Sequence, residues 1–158
     1  MIRRILTTST VALVALLAFS QEAAAQQAVP VLGSAHWGVR GGIGAEPDQG
    51  VFGVHLESAP LLTGLTFKPN VEVGIGDDDD SLDVNMEFAY HMPFQKTDWA
   101  VYIGGGPAAI FAFETEPNLR SGIALMVGLE KGKKWMFEVK VGDGSSSRLK
   151  LTAGYNFK

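Results

Sequence analysis

Across residues 81–92 every second position is apolar: Leu82, Val84, Met86, Phe88, Tyr90 and Met92 alternate with Asp83, Asn85, Glu87, Ala89 and His91. Side chains on a strand point alternately to opposite faces, so a period of two describes a β-strand with one apolar and one polar side, and no helix fits it. Globular strands run about 5–6 residues, whereas a tilted strand that crosses a bilayer needs about 9–11. This segment has the longer length.

The same alternation recurs seven more times. Residues 34–43 set Trp37, Val39 and Ile43 against His36, Gly38, Arg40 and Gly42, and residues 51–58 set Phe52, Val54 and Leu56 against His55 and Glu57. Over 65–75, Leu65, Phe67, Val71, Val73 and Ile75 oppose Lys68, Asn70, Glu72 and Gly74. Over 99–110, Trp99, Val101 and Ile103 oppose Ala100, Tyr102 and Gly104. Residues 121–129 carry Ile123, Leu125, Val127 and Leu129 opposite Gly122, Ala124, Met126 and Gly128. Trp135, Phe137, Val139 and Val141 face away from Met136, Glu138 and Lys140 over 135–141. In the last segment, 148–157, Leu149, Leu151, Ala153, Tyr155 and Phe157 oppose Lys150, Thr152, Gly154 and Asn156. Short polar turns separate the segments, the longest connection being 111–119. Eight strands on such links predict an all-β fold, an antiparallel up-and-down barrel. Pro69 interrupts the third strand; it has no N–H for a ladder, and in a closed barrel it calls for a bulge.

Alternation alone does not say which face is inside. In a soluble barrel that binds a small apolar ligand, Val84, Phe88, Val127 and Phe137 meet in a common centre; in a transmembrane barrel they face lipid. Three features favour lipid. Aromatic residues on the apolar face, Trp37, Trp99, Trp135, Tyr155 and Phe157, gather near strand ends, as girdles at two membrane interfaces do. The odd-numbered connections (44–50, 76–80, 111–120, 142–147) are acidic apart from Arg120, while the even-numbered turns and the C-terminus carry Lys96, Lys131, Lys133, Lys134 and Lys158 against Asp98 and Glu130. An even-stranded barrel puts these two sets on opposite sides of a membrane, with both termini on the short-turn side, here the periplasmic one. Third, the polar face is charged but nearly balanced: Arg40, Lys68, Lys140 and Lys150 against Glu57, Glu72, Asp83, Glu87 and Glu138. An eight-stranded interior is just wide enough to be filled by side chains, so these predict a lumen closed by ion pairs and no diffusion pore.

The N-terminus reads as a removable export signal over residues 1–25: Arg3 and Arg4, an apolar run over 11–19, then Ala23-Ala24-Ala25. Residues 26–33 are a polar lead-in and 34–158 the barrel domain. Arg3, Arg4 and Glu22 leave with the signal, so 13 basic and 17 acidic residues become 11 and 16. A mildly acidic domain without a basic stripe is unsuited to nucleic acid. With no cysteine in the chain, disulfide, thiolate-metal and lipid-attachment chemistry are excluded.

Lys68-Pro69-Asn70-Val71-Glu72-Val73-Gly74-Ile75-Gly76-Asp77-Asp78, then Tyr102-Ile103-Gly104-Gly105-Gly106 and Glu138-Val139-Lys140-Val141-Gly142, resemble small, porin-like bacterial outer-membrane β-barrel proteins. The ending Gly154-Tyr155-Asn156-Phe157 resembles the aromatic closing strand such proteins present to the barrel-assembly machinery, although here Lys158 follows the aromatic. The resemblance implies an outer-membrane location amid lipid and lipopolysaccharide, and no particular activity.

Candidate chemistry is sparse. Asp77, Asp78, Asp79 and Asp80 lack the D-x-D-x-D-G spacing of a calcium loop and read as a solvated loop. His36, His55 and His91 fall on inward positions of three strands without metal-ligand spacing, which predicts lumen hydrogen bonding and no metal. Gly104-Gly105-Gly106 has no strand–turn–helix context and is not a phosphate loop. Some outer-membrane barrels modify lipid A, and a serine nucleophile needs a positioned base. Here Ser34-Ala35-His36 has the order reversed from the deacylase pattern, and Ser58 falls out of phase with His55 and Glu57. No catalysis and no cofactor are expected.

Overall fold

Eight strands close in sequence order: β1 (His36–Ala45), β2 (Gln49–Glu57), β3 (Leu65–Gly76), β4 (Ser81–Pro93), β5 (Trp99–Ala112), β6 (Asn118–Lys131), β7 (Trp135–Gly142) and β8 (Leu149–Phe157). The computed structural model describes residues 35–76, 80–113, 118–143 and 147–157. The expected signal peptide and lead-in lie outside the described residues, as do Asp77 to Asp79, Glu114, Glu116 and Lys158. All pairings are antiparallel, and β1 meets β8 from Trp37↔Phe157 to Ala45↔Leu149, which leaves no free sheet edge. Among the described residues no helix is long and apolar enough to cross a membrane.

Burial follows the period of two. On β4, Ser81, Asp83, Asn85, Glu87, Ala89 and His91 are buried, while Met86, Phe88 and Tyr90 are exposed. Val127 is 53 % exposed, Phe137 49 % and Phe88 45 %, and Val84 is half-buried, so these four do not meet in a common centre. Among the described residues the buried apolar side chains are few and mostly small, and the cluster they form is Ala89, Tyr102 and Met126. Apolar burial in water therefore does not drive this fold; its outer surface requires an apolar surrounding medium.

Two details differ from the sequence pattern. The long connection expected over 111–119 is shorter, because β5 and β6 stay paired up to Ala112↔Asn118. Ile110 and Ala112 keep the inward phase of Tyr102 and Ala108, and Phe111 keeps the outward one. Pro69, for which a bulge was expected, needs none: the β3–β4 register runs without a slip from Leu65↔Tyr90 to Gly74↔Ser81. The Phe67 carbonyl accepts from Ser58 N–H at 2.9 Å, so by alternation the Pro69 nitrogen also faces β2. The β2–β3 ladder lapses after His55↔Asn70, where Pro69 has no donor to give, and the two strands are bonded again in the same register at Ser58 and Phe67. Pro107 interrupts a ladder in the same way. The β4–β5 pairing lapses at Met86 and Glu87, opposite the proline that has no N–H to give.

The five interface aromatics occupy one end of the barrel, the end with the short turns and the C-terminal residues of β8, and not two ends. Trp37 and Phe157 rings lie 4.5 Å apart, Tyr155 and Phe157 5.2 Å, and Trp135 and Tyr155 5.0 Å. Lys131 Nζ sits 5.4 Å from the Trp99 ring centre at the same end. Exposed Phe52, Phe111 and Phe113 stand toward the other end.

Candidate functional site

The candidate site is the lumen, where alternation on all eight strands aims polar side chains at one axis. Its centre is Glu72 on β3. Arg40 Nη1 from β1 donates to Glu72 Oε1 at 3.0 Å and to Glu138 Oε1 on β7 at 2.9 Å. Lys140 Nζ reaches Glu72 at 3.3 Å and Glu87 on β4 at 2.7 Å, and Lys150 Nζ from β8 donates to Glu72 Oε2 at 2.9 Å and to Asp83. The side chains in these pairs are no more than 1 % exposed. A single guanidinium or ammonium bridging two carboxylates ties strands that share no ladder, β1 to β3 and β7, and β8 to β3 and β4.

Neutral groups complete the packing. Asn70 Nδ2 donates to Glu87 Oε2 at 2.6 Å, and Asn85 Nδ2 donates to Asn70 Oδ1 at 2.8 Å. Tyr102 O–H donates to Glu138 Oε2 at 2.8 Å, while Lys68 Nζ lies 4.1 Å from the Tyr102 ring centre. Lys68 is shared between Glu57 at 3.7 Å and Glu138 at 3.9 Å. His55 Nε2 is 2.6 Å from Asn156 Oδ1. The Tyr102 ring lies over Gly128, its partner on β6, and a Cβ there would approach the ring to under 3.0 Å. Gly128→Ala should push the ring off Glu138 and destabilise the barrel by about 1–3 kcal/mol, the usual penalty for overpacking. Urea unfolding of the vesicle-inserted protein measures it, and a stability equal to wild type would contradict the packing described.

Toward the short-turn end the lumen changes character. His91 on β4 stands between two carboxylates, its Nε2 3.3 Å from Glu57 Oε1 and its Nδ1 3.4 Å from Glu130 Oε2. Thr66 Oγ1 is 3.1 Å from the same Nε2, and His36 Nε2 is 3.7 Å from Glu57 Oε2.

All nine charges singled out from the sequence point into the lumen and are buried. Eight of them join the central network; Glu57 belongs to the short-turn end. The sequence reading placed Glu130 in a turn, yet it is 4 % exposed and inward. The signal was present, since Ala124, Met126, Gly128 and Glu130 are in phase. The acidic connections lie at the opposite end, where exposed Arg148 pairs with Glu46 at 3.3 Å and Asp80 accepts weakly from Gly76 N–H at 3.4 Å. Arg148 gives that side a second basic group beside Arg120.

The sequence matches no protein-family profile and no curated protein. Among solved structures, the N-terminal β-barrel domain of Pseudomonas aeruginosa OprF is similar at a TM-score of 0.59 and 11 % identity, with 81 % of this chain and 100 % of that one covered. The outer membrane enzyme PagL aligns at a TM-score of 0.49 and 12 % identity over 78 % of this chain and 99 % of that one, too loosely for any argument from it. Barrel closure in eight antiparallel strands is shared with the OprF domain: this chain folds as a small eight-stranded barrel of the same architecture, with a polar interior and an exposed apolar outer surface.

Proposed function

We propose that the protein resides in the outer membrane as a closed barrel that passes no solute. Its role is structural or interactive, exercised through the acidic connections at the outer end, with both termini in the periplasm. The observation that carries this reading is the ion-paired lumen, whose Arg40, Glu72, Glu138, Lys140 and Lys150 side chains are no more than 1 % exposed. Opening a path through it would strand buried charges, each at a cost of several kcal/mol, roughly. Lipid and lipopolysaccharide are the surroundings such a surface suits, and the barrel-assembly machinery is the partner suggested by the closing residues 154–157. Catalysis has little support among the described groups. Ser58 Oγ donates to the Ala59 carbonyl and accepts from Phe67 N–H, and His55 is engaged with Asn156.

Membrane fractionation and planar-bilayer recording test the two halves of the proposal. The protein should sediment with outer membranes, migrate differently on gels before and after boiling, and give no unitary conductance above the bare bilayer. Release into the aqueous periplasmic fraction would overturn the location. Stable current steps from the purified protein would overturn the closed lumen.

A further inference from the structure

We propose that the short-turn mouth of the lumen holds one divalent transition-metal ion of the zinc class, bound by Glu57, His91 and Glu130 with His36 as a further ligand. Three independent observations converge there. The first is charge. Among the described residues the buried cations are Arg40, Lys68, Lys140 and Lys150, and the central carboxylates Glu72, Asp83, Glu87 and Glu138 match them in number. Glu57 and Glu130 raise the buried carboxylates to six against those four cations, Glu57 has only a share of Lys68 at 3.7 Å, and both flank His91. A dication neutralises that excess, and leaving it uncompensated in a low dielectric is costly.

The second is unused bonding capacity. His91 Nδ1, Glu57 Oε2 and His36 Nε2 are buried atoms that make no hydrogen bond, although His91 and Glu57 are only 2 % and 3 % exposed. Natural interiors leave few such groups without a reason. The third is spacing. Ligand atoms of Glu57, His91 and Glu130 all lie within 4.8 Å of one another. Zinc bonds of about 2.0–2.1 Å at tetrahedral angles set neighbouring ligand atoms about 3.3 Å apart. The contacts of His91 with Glu57 at 3.3 Å and of His36 with Glu57 at 3.7 Å approach that value.

A ring gives one ion one nitrogen. One nitrogen of His91 therefore ligates, and one oxygen of each carboxylate lies within 4.8 Å of it, close enough to close on the same ion. Imidazole and carboxylate without thiolate suit zinc or nickel and disfavour magnesium and calcium, which select oxygen. The side chain of His36 is 15 % exposed, which gives an ion access from the mouth. Four strands, β1, β2, β4 and β6, supply the four groups. The ion would clamp the short-turn end and tie in β2 and β6, which carry none of the central network's charges.

The test uses the protein without a histidine tag, extracted from membranes in detergent, stripped with chelator and titrated with Zn²⁺ alone. Calorimetry and elemental analysis should give one zinc per chain, and zinc should raise the thermal unfolding temperature. His91→Ala should abolish binding. His36→Ala, at the rim where folding is not at risk, should weaken it by about 10–100-fold. Absence of stoichiometric zinc in wild type would overturn the proposal, and so would unchanged affinity in both variants. If metal-free wild type instead shows His91 as an imidazolium by NMR and takes up no zinc, the cluster is a proton-bridged carboxylate pair and the metal assignment falls. None of these results depends on where the barrel resides or on whether it conducts.

Discussion

Glu72→Ala is expected to be the most damaging single substitution in the lumen, lowering stability by about 3–5 kcal/mol, the range for breaking a buried ion pair from one side. The reason is the number of cations that converge on one carboxylate: Arg40 at 3.0 Å, Lys140 at 3.3 Å and Lys150 at 2.9 Å. After truncation these cations keep Glu138, Glu87 and Asp83, but three positive groups then surround a cavity instead of a negative charge. The exposed pair supplies the control. Arg148 and Glu46 are 77 % and 72 % exposed, and Glu46→Gln should leave stability unchanged because solvent screens such contacts. Urea unfolding in lipid vesicles, followed by fluorescence of Trp37, Trp99 and Trp135, compares the two. A Glu72→Ala barrel within about 1 kcal/mol of wild type, where exposed pairs fall, would mean that packing rather than ion pairing holds the lumen.

The strands were legible because the outer surface had to be apolar at every second residue, a constraint as strict as a core and running the full length of each strand. Their ends were less so. Ile110 and Ala112 face inward although they are apolar, so β5 loses its contrast just where it continues in register, and the eye takes 111–119 for a loop. Pro69 is hard to place from sequence for a related reason: alternation reports which face a side chain takes, but not toward which neighbour a backbone nitrogen turns, and here it turns to β2, where the ladder lapses locally without a bulge while the β3–β4 register runs on unbroken. In the lumen the sequence told which residues look inward and not which of them meet. Glu72 and Lys150 lie far apart in the chain, and their pairing depends on the stagger of the closed sheet. Glu130 shows the limit from the other side. Its phase was right, but a Glu-Lys-Gly-Lys-Lys run looks like a solvated turn until the strand is seen to extend to Lys131.

Val127→Arg separates the two possible surroundings of the barrel by direction of effect as well as size. Val127 lies in the interior of β6, pairs with Ile103 and Val139, and is 53 % exposed on a surface where its neighbours Leu125 and Leu129 are also exposed. Were that surface wet, a charge would relieve an apolar patch, and stability would change by no more than about 0.5 kcal/mol. Facing hydrocarbon near the bilayer midplane, the same arginine should cost about 2–4 kcal/mol. Depth adds a second criterion. Trp135→Arg, among the aromatic residues at the short-turn end, should cost about 0–1 kcal/mol because the guanidinium reaches headgroups there. A mere loss of packing contacts gives no such gradient, since both positions are about half exposed, Val127 at 53 % and Trp135 at 52 %. Reversible unfolding in vesicles measures both variants. Equal, small effects at the two positions would remove lipid from the account of this fold, and a steep difference would tie the outer belt to the bilayer by depth.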